Sequence, residues 1–170
     1  MLDFKANIDH GKVFNSQIMI VNDQPNAENG TVLIRAKTAG PPIHKHNLQD
    51  EILEVVEGQL DVYKENRWEV IKKGESIFIP RNTAHTYKNT SESDTYFKYF
   101  ISPQGTFTSM MYDFERIIKQ EKIKSTKDFS SLIYMSMVFR KYKDSLSSVE
   151  PPDFVMSFMA TLGKVLGFRI

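Results

Sequence analysis

The stretch that decides the fold is residues 40–58, Gly-Pro-Pro-Ile-His-Lys-His-Asn-Leu-Gln-Asp-Glu-Ile-Leu-Glu-Val-Val-Glu-Gly. Side chains two apart on a strand point to one face, so His44 and His46 can reach one ion together. The two prolines before them hold the approach extended and set where that strand begins. Glu51 opens a second strand after a short turn. The stretch therefore offers two imidazoles and one carboxylate, a donor set that suits borderline divalent metal ions.

A second stretch, residues 74–89, adds another potential ligand. It reads Gly-Glu-Ser-Ile-Phe-Ile-Pro-Arg-Asn-Thr-Ala-His-Thr-Tyr-Lys-Asn, and its histidine is His85. The carboxylate of the first stretch has a local alternative, because Asp50 directly precedes Glu51. Alternation along the strand sends Asp50 to the opposite face, which favours Glu51 as the ligand.

Composition narrows the chemistry. The 170 residues include no cysteine, which excludes disulfides, thiolate nucleophiles and zinc–thiolate sites. Lys and Arg number 22 and Asp and Glu 21, so the net charge of +1 gives no electrostatic reason to expect a nucleic-acid partner. The N-terminus lacks the apolar core of a signal peptide, and no run reaches the roughly 18 apolar residues of a membrane span. We therefore expect a cytoplasmic protein without a membrane span.

Short β-rich runs fill the first two thirds of the chain. The pair Asn29-Gly30 is typical of a tight turn, and Gly58 also falls where a sharp reversal is needed. The expected strands cover residues 14–21, 31–37, 52–58, 59–65, 67–73, 76–80, 85–89 and 95–102. Strands this short and regularly spaced predict an antiparallel sandwich or barrel from about residue 10 to residue 101, with no helix inside it.

The apolar spacing becomes helical after the Ser-Pro-Gln-Gly at residues 102–105. No strand is expected beyond residue 108. The expected helices cover residues 108–123, about 125–146 and 152–166. The chain is thus predicted to divide into a β-barrel over 1–104 and a helical extension over 105–170.

The last of these helices is unusually apolar and predicts an assembly. Its large side chains fall on adjoining helix positions and would form a patch that a monomer rarely exposes. These residues are Phe154, Phe158, Met159, Leu162 and Leu166. We expect the extension either to pack on the barrel or to form the interface of a homodimer.

The first histidine stretch resembles a motif of the cupin superfamily. That motif consists of a Gly, a His-x-His, a Glu and a second Gly. Three or four residues separate the second His from the Glu, and six separate the Glu from the second Gly. Four residues separate His46 from Glu51 here, and six separate Glu51 from Gly58. The departure is at Gly40: three residues separate it from His44, where the family pattern has five, and the difference concerns only a loop.

The second stretch resembles the second motif of the same family. Gly74, Pro80, His85 and Asn89 fall at the family's spacing. Asn82 stands where the family has a glycine. Asparagine tolerates a positive φ best after glycine, so the turn at that position is expected to be preserved.

The resemblance covers residues 30–101 and implies a small single-barrel cupin of the quercetinase-like kind. It implies a double-stranded β-helix, or jelly-roll barrel, holding one divalent ion such as Fe, Mn, Ni, Zn or Cu. The implied ligands are His44, His46, Glu51 and His85. Among known cupin activities, a dioxygenase acting on a small aromatic or dicarbonyl substrate fits best.

Two other functions remain open. One is a ligand-binding or sensory module without turnover. The other is a metal-dependent isomerase or lyase, which would need an acid or base opposite the metal, and no free histidine remains inside the motifs. Fold and metal ligands do not by themselves name a reaction.

Several further residues carry expectations about the interior and surface. The side chains expected to point inward and line a pocket are Leu53, Val55, Leu60 and Val62, with Phe78 nearby. Tyr87 and Tyr99 are candidate pocket hydroxyls. Trp68 is expected to be a dimer contact or a core plug, and His10, which matches no motif, to be a solvated surface residue.

Overall fold

The computed structural model describes residues 6–170, so the first five residues of the predicted barrel range lie outside it. Within this range the strands form two antiparallel sheets. The six-stranded sheet has the order β1 (Ala6–Asp9), β2 (Ser16–Ile20), β3 (Glu28–Ile34), β10 (Thr95–Ser102), β5 (Asp50–Glu57) and β8 (Ser76–Ile79). The five-stranded sheet has the order β11 (Leu146–Glu150), β4 (Ile43–His46), β9 (His85–Lys88), β6 (Gln59–Lys64) and β7 (Arg67–Lys72).

The two sheets enclose one apolar core. Alternate side chains of each strand point inward, as the pleat requires, and β10 shows this as a strictly alternating pattern of burial. The core includes Leu53, Val55, Leu60 and Val62, all fully buried, as their inward orientation predicted. The mainly antiparallel β architecture predicted from the sequence is confirmed.

The N-terminal part of the barrel differs from expectation in two places. Strand β1 was not anticipated, and a helical turn, α1 (Gly11–Phe14), precedes β2 where residue 14 was expected to begin a strand. The predicted turn at Asn29-Gly30 lies inside β3. Gly30 is needed there because a Cβ would sit 2.3 Å from the Met19 carbonyl oxygen and 2.9 Å from the Tyr99 ring.

Three long helices follow the barrel: α2 (Phe107–Lys119), α3 (Phe129–Lys141) and α4 (Asp153–Val165). The predicted helices at 108–123 and 152–166 are therefore confirmed to within a few residues. The second predicted helix ends at Lys141 rather than Leu146. None of the helices in the described part of the chain is both long and apolar enough to cross a membrane.

The prediction that no strand follows residue 108 is wrong. Strand β11 pairs antiparallel with β4, placing Leu146 opposite His46 and Ser148 opposite His44. Leu146 and Ser148 are buried while the residue between them is partly exposed, so the segment has the period of a strand. The chain returns to cover a sheet edge that would otherwise present unpaired backbone groups.

The helices pack on the barrel through a second apolar core. Its main contributors are Met110, Phe114 and Ile117 from α2 and Val138 and Phe139 from α3. Helix α4 packs on α3 at Gly163, where a Cβ would lie 2.5 Å from Ile133 Cγ2. The other face of α4 is open. Its exposed side chains include Phe154 at 75%, Phe158 at 63% and Leu166 at 57%, while Met159 and Leu162 are partly buried.

Candidate metal centre

Three histidine side chains meet inside the barrel. His44 and His46 project from β4, and His85 lies directly opposite His44 in the pairing of β4 with β9. All three are buried. One ring nitrogen from each lies within 4.8 Å of the others, so the group could hold a metal ion. The spacing of two residues along β4 thus does what the sequence predicted.

Glu51 reaches the same place from the opposite sheet. Its Oε2 atom lies 2.9 Å from His85 Nε2 and 3.6 Å from His46 Nε2. The carboxylate is 7% exposed, so bulk water does not screen these contacts. The donor groups therefore bridge the two sheets.

Backbone carbonyls fix two of the imidazoles in one tautomer. His44 Nδ1 lies 2.8 Å from the Pro42 carbonyl oxygen, and His85 Nδ1 lies 2.9 Å from that of Thr83. A carbonyl only accepts, so each Nδ1 carries a proton, and Nε2 offers its lone pair whenever the ring is neutral. This arrangement orients ligating histidines in metal sites generally.

The remaining ring nitrogens test whether a metal fits. Among the described residues, Nε2 of His46 and of His85 forms no properly oriented hydrogen bond, apart from the approach of Glu51. A buried polar atom left in this state costs about 1–3 kcal/mol. Coordination would use the free lone pairs, so the donor set fits a divalent ion.

The electrostatics favour the metal-binding protonation states of three of the four groups. Burial, with a smaller effect from the other two imidazoles, lowers the pKa of His44 to about 3. Burial also lowers the pKa of His46. For Glu51, burial raises the pKa, but the contact with His85 and the other imidazoles outweigh it and lower the value to about 2. At neutral pH His44 and His46 are therefore neutral and Glu51 is ionised, as ligands must be. For His85, burial lowers the pKa, but the contact with Glu51 outweighs it and raises the value, so an ion bound there would displace a proton from that ring.

Asp50, the alternative carboxylate, lies on the outer face. Arg81 donates to it from Nε, Nη2 and the backbone amide, at 3.1, 2.8 and 2.9 Å. These hydrogen bonds hold the pKa of Asp50 below its usual value. Its carboxylate is thus engaged outside the barrel, while that of Glu51 is inside.

The turn before His85 has the predicted backbone. Asn82 has φ of 64°, and its amide donates to the His46 carbonyl at 2.7 Å. The Asn89 side chain is buried and donates to three carbonyls, those of Ile34, Arg35 and Ser93. Both asparagines hold the strand of His85 against its neighbours.

A cavity of about 100 Å³ adjoins the imidazoles. His44 and Glu51 form part of its wall, and the rest is mostly apolar. Both predicted hydroxyl residues, Tyr87 and Tyr99, line it. Leu53, Val55, Leu60 and Val62 do not; they fill the barrel core. The helices and β11 contribute the roof, through Phe107, Met110, Met111, Phe114, Met135, Phe139 and Leu146.

His10 also lines this cavity, so the expectation of a solvated surface residue is wrong. Its side chain is buried and lies edge-on to Phe14. The sequence contained a signal that was missed, because polar Asn7 and Asp9 flank apolar Ile8, the alternation of a strand with one inward face. Ile8 and His10 are buried on that face, while Asn7 and Asp9 are exposed.

Glu28 is a second buried carboxylate that the sequence did not reveal. It accepts hydrogen bonds from the backbone amides of Gly105, Phe107 and Thr108, at 3.0, 3.2 and 2.8 Å. It therefore satisfies the free amides at the start of α2 and joins that helix to β3. The signal was hidden by the neighbouring Asn29-Gly30, which resembled a turn.

Trp68 lies on the outer face of β7 and is 46% exposed. The Lys88 ammonium group stands 3.8 Å from its ring centroid. The core-plug expectation is therefore wrong, and a dimer contact at Trp68 stays a prediction.

Comparison with known proteins finds a match over the same residues as the sequence motifs. Residues 30–101 match the family model described as a cupin domain. An uncharacterized protein of Aquifex aeolicus is 34% identical over 82 residues, which are 48% of this chain and 65% of that protein. This chain thus covers slightly less than two thirds of that relative.

Two solved structures share the barrel. KdgF from a Halomonas species aligns with a TM-score of 0.51 at 24% identity, covering 60% of this chain and 86% of that one. An RmlC-like cupin from Shewanella frigidimarina aligns with a TM-score of 0.51 at 18% identity, covering 58% and 84%. At such identities the likeness concerns the fold alone, and it confirms the jelly-roll architecture.

Proposed function

We propose that this chain, whose residues 30–101 match the cupin domain family, binds one divalent metal ion inside its barrel through His44, His46, Glu51 and His85. One observation carries the proposal: three buried imidazoles bring ring nitrogens within 4.8 Å of one another, and the buried Glu51 carboxylate approaches two of them from the opposite sheet. Three imidazoles, neutral once a metal ion has displaced the proton favoured at His85, and one carboxylate suit Fe, Mn, Ni, Zn or Cu.

The proposed activity is dioxygenation of a small, mostly apolar substrate held in the adjoining cavity. A bound ion of this kind supplies Lewis-acid chemistry and, if it is redox-active, electron transfer. The chain's own contribution is positioning and exclusion of water, because aromatic and Met side chains from α2 and α3 cover the cavity. Burial raises the pKa of Tyr87 and Tyr99, so both hydroxyls stay protonated at neutral pH and can donate to a substrate oxygen.

Oxygen uptake tests this activity. Protein reconstituted with Fe, Mn, Ni or Cu would be assayed against a panel of flavonols and β-diketones. We expect substrate-dependent oxygen consumption that His44→Ala abolishes and Asp50→Asn retains. Saturable binding of these compounds without oxygen consumption would instead indicate a ligand-binding module, and the dioxygenase proposal would fail.

A second candidate is a non-redox isomerase or lyase. It gains support from His10, because this residue places inside the cavity the kind of acid–base group that the motifs lacked. A metal-loaded protein of this kind would exchange a substrate proton with deuterated water in the absence of oxygen, which the dioxygenase proposal does not predict.

We further propose that the protein is a homodimer that uses the open face of α4. Phe154, Phe158 and Val165 are all more than half exposed, and their spacing places them on this face. Apolar patches of this kind on a protein surface mark interaction sites. A small-molecule ligand and a cytoplasmic location complete the proposal.

A further inference from the structure

The cavity has two polar ends. One end holds His44 and Glu51, and the other holds His10 and Ser16. The register of the six-stranded sheet shows that the two ends lie apart. Glu51 pairs with Ile101, which pairs with Glu28, the first residue of β3. Ser16 instead pairs with Ile34, the last residue of β3. Apolar side chains line the wall between the two ends.

His10 is held loosely for a buried imidazole. Its Nδ1 lies 3.4 Å from Ser16 Oγ, and its Nε2 lies 3.4 Å from the Met111 carbonyl oxygen. Well-formed N–H···O bonds cluster near 2.9–3.0 Å, so both contacts are long. Burial, only partly offset by the Met111 contact, lowers the pKa of His10, and the ring is neutral at pH 7. A ligand hydroxyl or carbonyl could therefore exchange for either weak contact at little cost.

The wall also limits the charge of the ligand. No Lys or Arg lies among the residues that line the cavity in the described part of the chain. An anionic group at the His10 end would be desolvated without a cation beside it, which is strongly unfavourable. A neutral hydrogen-bonding group carries no such penalty.

We propose that His10, with Ser16, is a positioning residue that hydrogen-bonds an uncharged hydroxyl or carbonyl at the end of the ligand remote from the metal centre. The ligand is then an elongated molecule with an apolar middle, oxygen donors at the metal end and a neutral polar group at the other. This inference rests on the proposed function and deepens it, because it names the ligand class of the same cavity.

The test uses a matched pair of probes that need no metal, 4-propylphenol and propylbenzene. Their dissociation constants would be measured by calorimetry with the full-length protein, metal-free, as wild type, His10→Phe and Tyr112→Phe. The preference is the ratio of the propylbenzene constant to the propylphenol constant. One neutral hydrogen bond predicts a preference of about fivefold in the wild type.

We expect His10→Phe to bring this preference close to one, while Tyr112→Phe, which removes an exposed hydroxyl outside the cavity, changes it less than about twofold. A merely structural role for His10 would weaken both probes equally. Preference retained in His10→Phe, preference lost only in Tyr112→Phe, or no binding of either probe would overturn the inference.

Spectroscopy of the wild type keeps the test independent of how well the variants fold. The His10 imidazole resonance, identified by its proximity to the Phe14 ring, should shift with 4-propylphenol and stay in place with propylbenzene. The opposite result would contradict the inference. Because no metal is added, failure of metal binding would leave this result intact and would count against the proposed function alone.

Discussion

The floor and the roof of the cavity are built differently. The floor carries the four donor groups on strands of the barrel, within residues 44–85. The roof is assembled from α2, α3 and β11, and the far wall from His10 and its neighbours, about 100 residues before α2 along the chain. Strand spacing fixes the floor, whereas long-range packing fixes the roof, so changes to the two regions should have separable effects.

Among substitutions in the roof, Phe114→Ala is expected to lower the free energy of unfolding the most. Phe114 is buried, packs on Phe14 and Phe139, and lines the cavity. Loss of a buried aromatic ring costs about 3–5 kcal/mol of unfolding free energy. Urea denaturation should show this loss, while the metal content of the folded variant stays equal to that of the wild type. Loss of metal together with stability would show that roof and floor are not separable.

A smaller loss of stability is expected from a substitution at the contact between α2 and α3. Asp113 accepts hydrogen bonds from Arg116 of α2 and from Lys141 and Tyr142 at the end of α3. Burial raises the pKa of Asp113, but these partners outweigh it and lower the value to about 2. Because the folded-state pKa lies below that of the unfolded chain, the stabilisation is complete above about pH 4 and is lost as the pH falls towards 2.

Asp113→Asn should therefore lower the unfolding free energy at pH 7 by about 1–2 kcal/mol and flatten its dependence on pH between about 4 and 2. Thermal unfolding across this range measures both. The matched control is Asp94→Asn, which breaks the exposed pair with Arg35 and should cost less. Equal effects of the two substitutions would argue against a special role for the Asp113 cluster.

The smallest effect on folding, with a clear effect on assembly, is expected from Phe158→Glu on the open face of α4. An exposed apolar side chain contributes little to the fold, so the melting temperature should change by only about a few degrees. Sedimentation at micromolar concentration should show a dimer for the wild type and a monomer of about 20 kDa for the variant. A wild-type monomer would contradict the dimer proposal, and a dimeric variant would move the interface to another surface such as that around Trp68.

The sequence predicted the floor well because its information is local. Two histidines two residues apart must share a face of a strand. The positive φ of Asn82 was expected because this residue stands where the family motif has a glycine. The convergence of His85 with these residues required the family spacing as well. Helix α4 was also predictable, since its apolar period is contained in one segment.

The sequence could not predict the parts that depend on distant partners. Strand β11 is defined by its pairing with β4, about 100 residues earlier, and its Ser-Ser pair resembled a helix stop. The burial of Glu28 is explained only by its hydrogen bonds to amides of α2. That of His10 is explained only by its contacts with Ser16 and Met111. In each case a polar residue is buried because a long-range contact compensates for its lost hydration.

The most direct test of the central claim is the metal content of protein purified without chelators, measured by elemental mass spectrometry. We expect about one divalent ion per chain in the wild type and in Asp50→Asn, and less than about a tenth of that in His85→Ala and Glu51→Gln, because each removes one of four buried donors. Circular dichroism would confirm that all four proteins are folded. Retention of the ion by Glu51→Gln together with its loss from Asp50→Asn would contradict the assignment of the site.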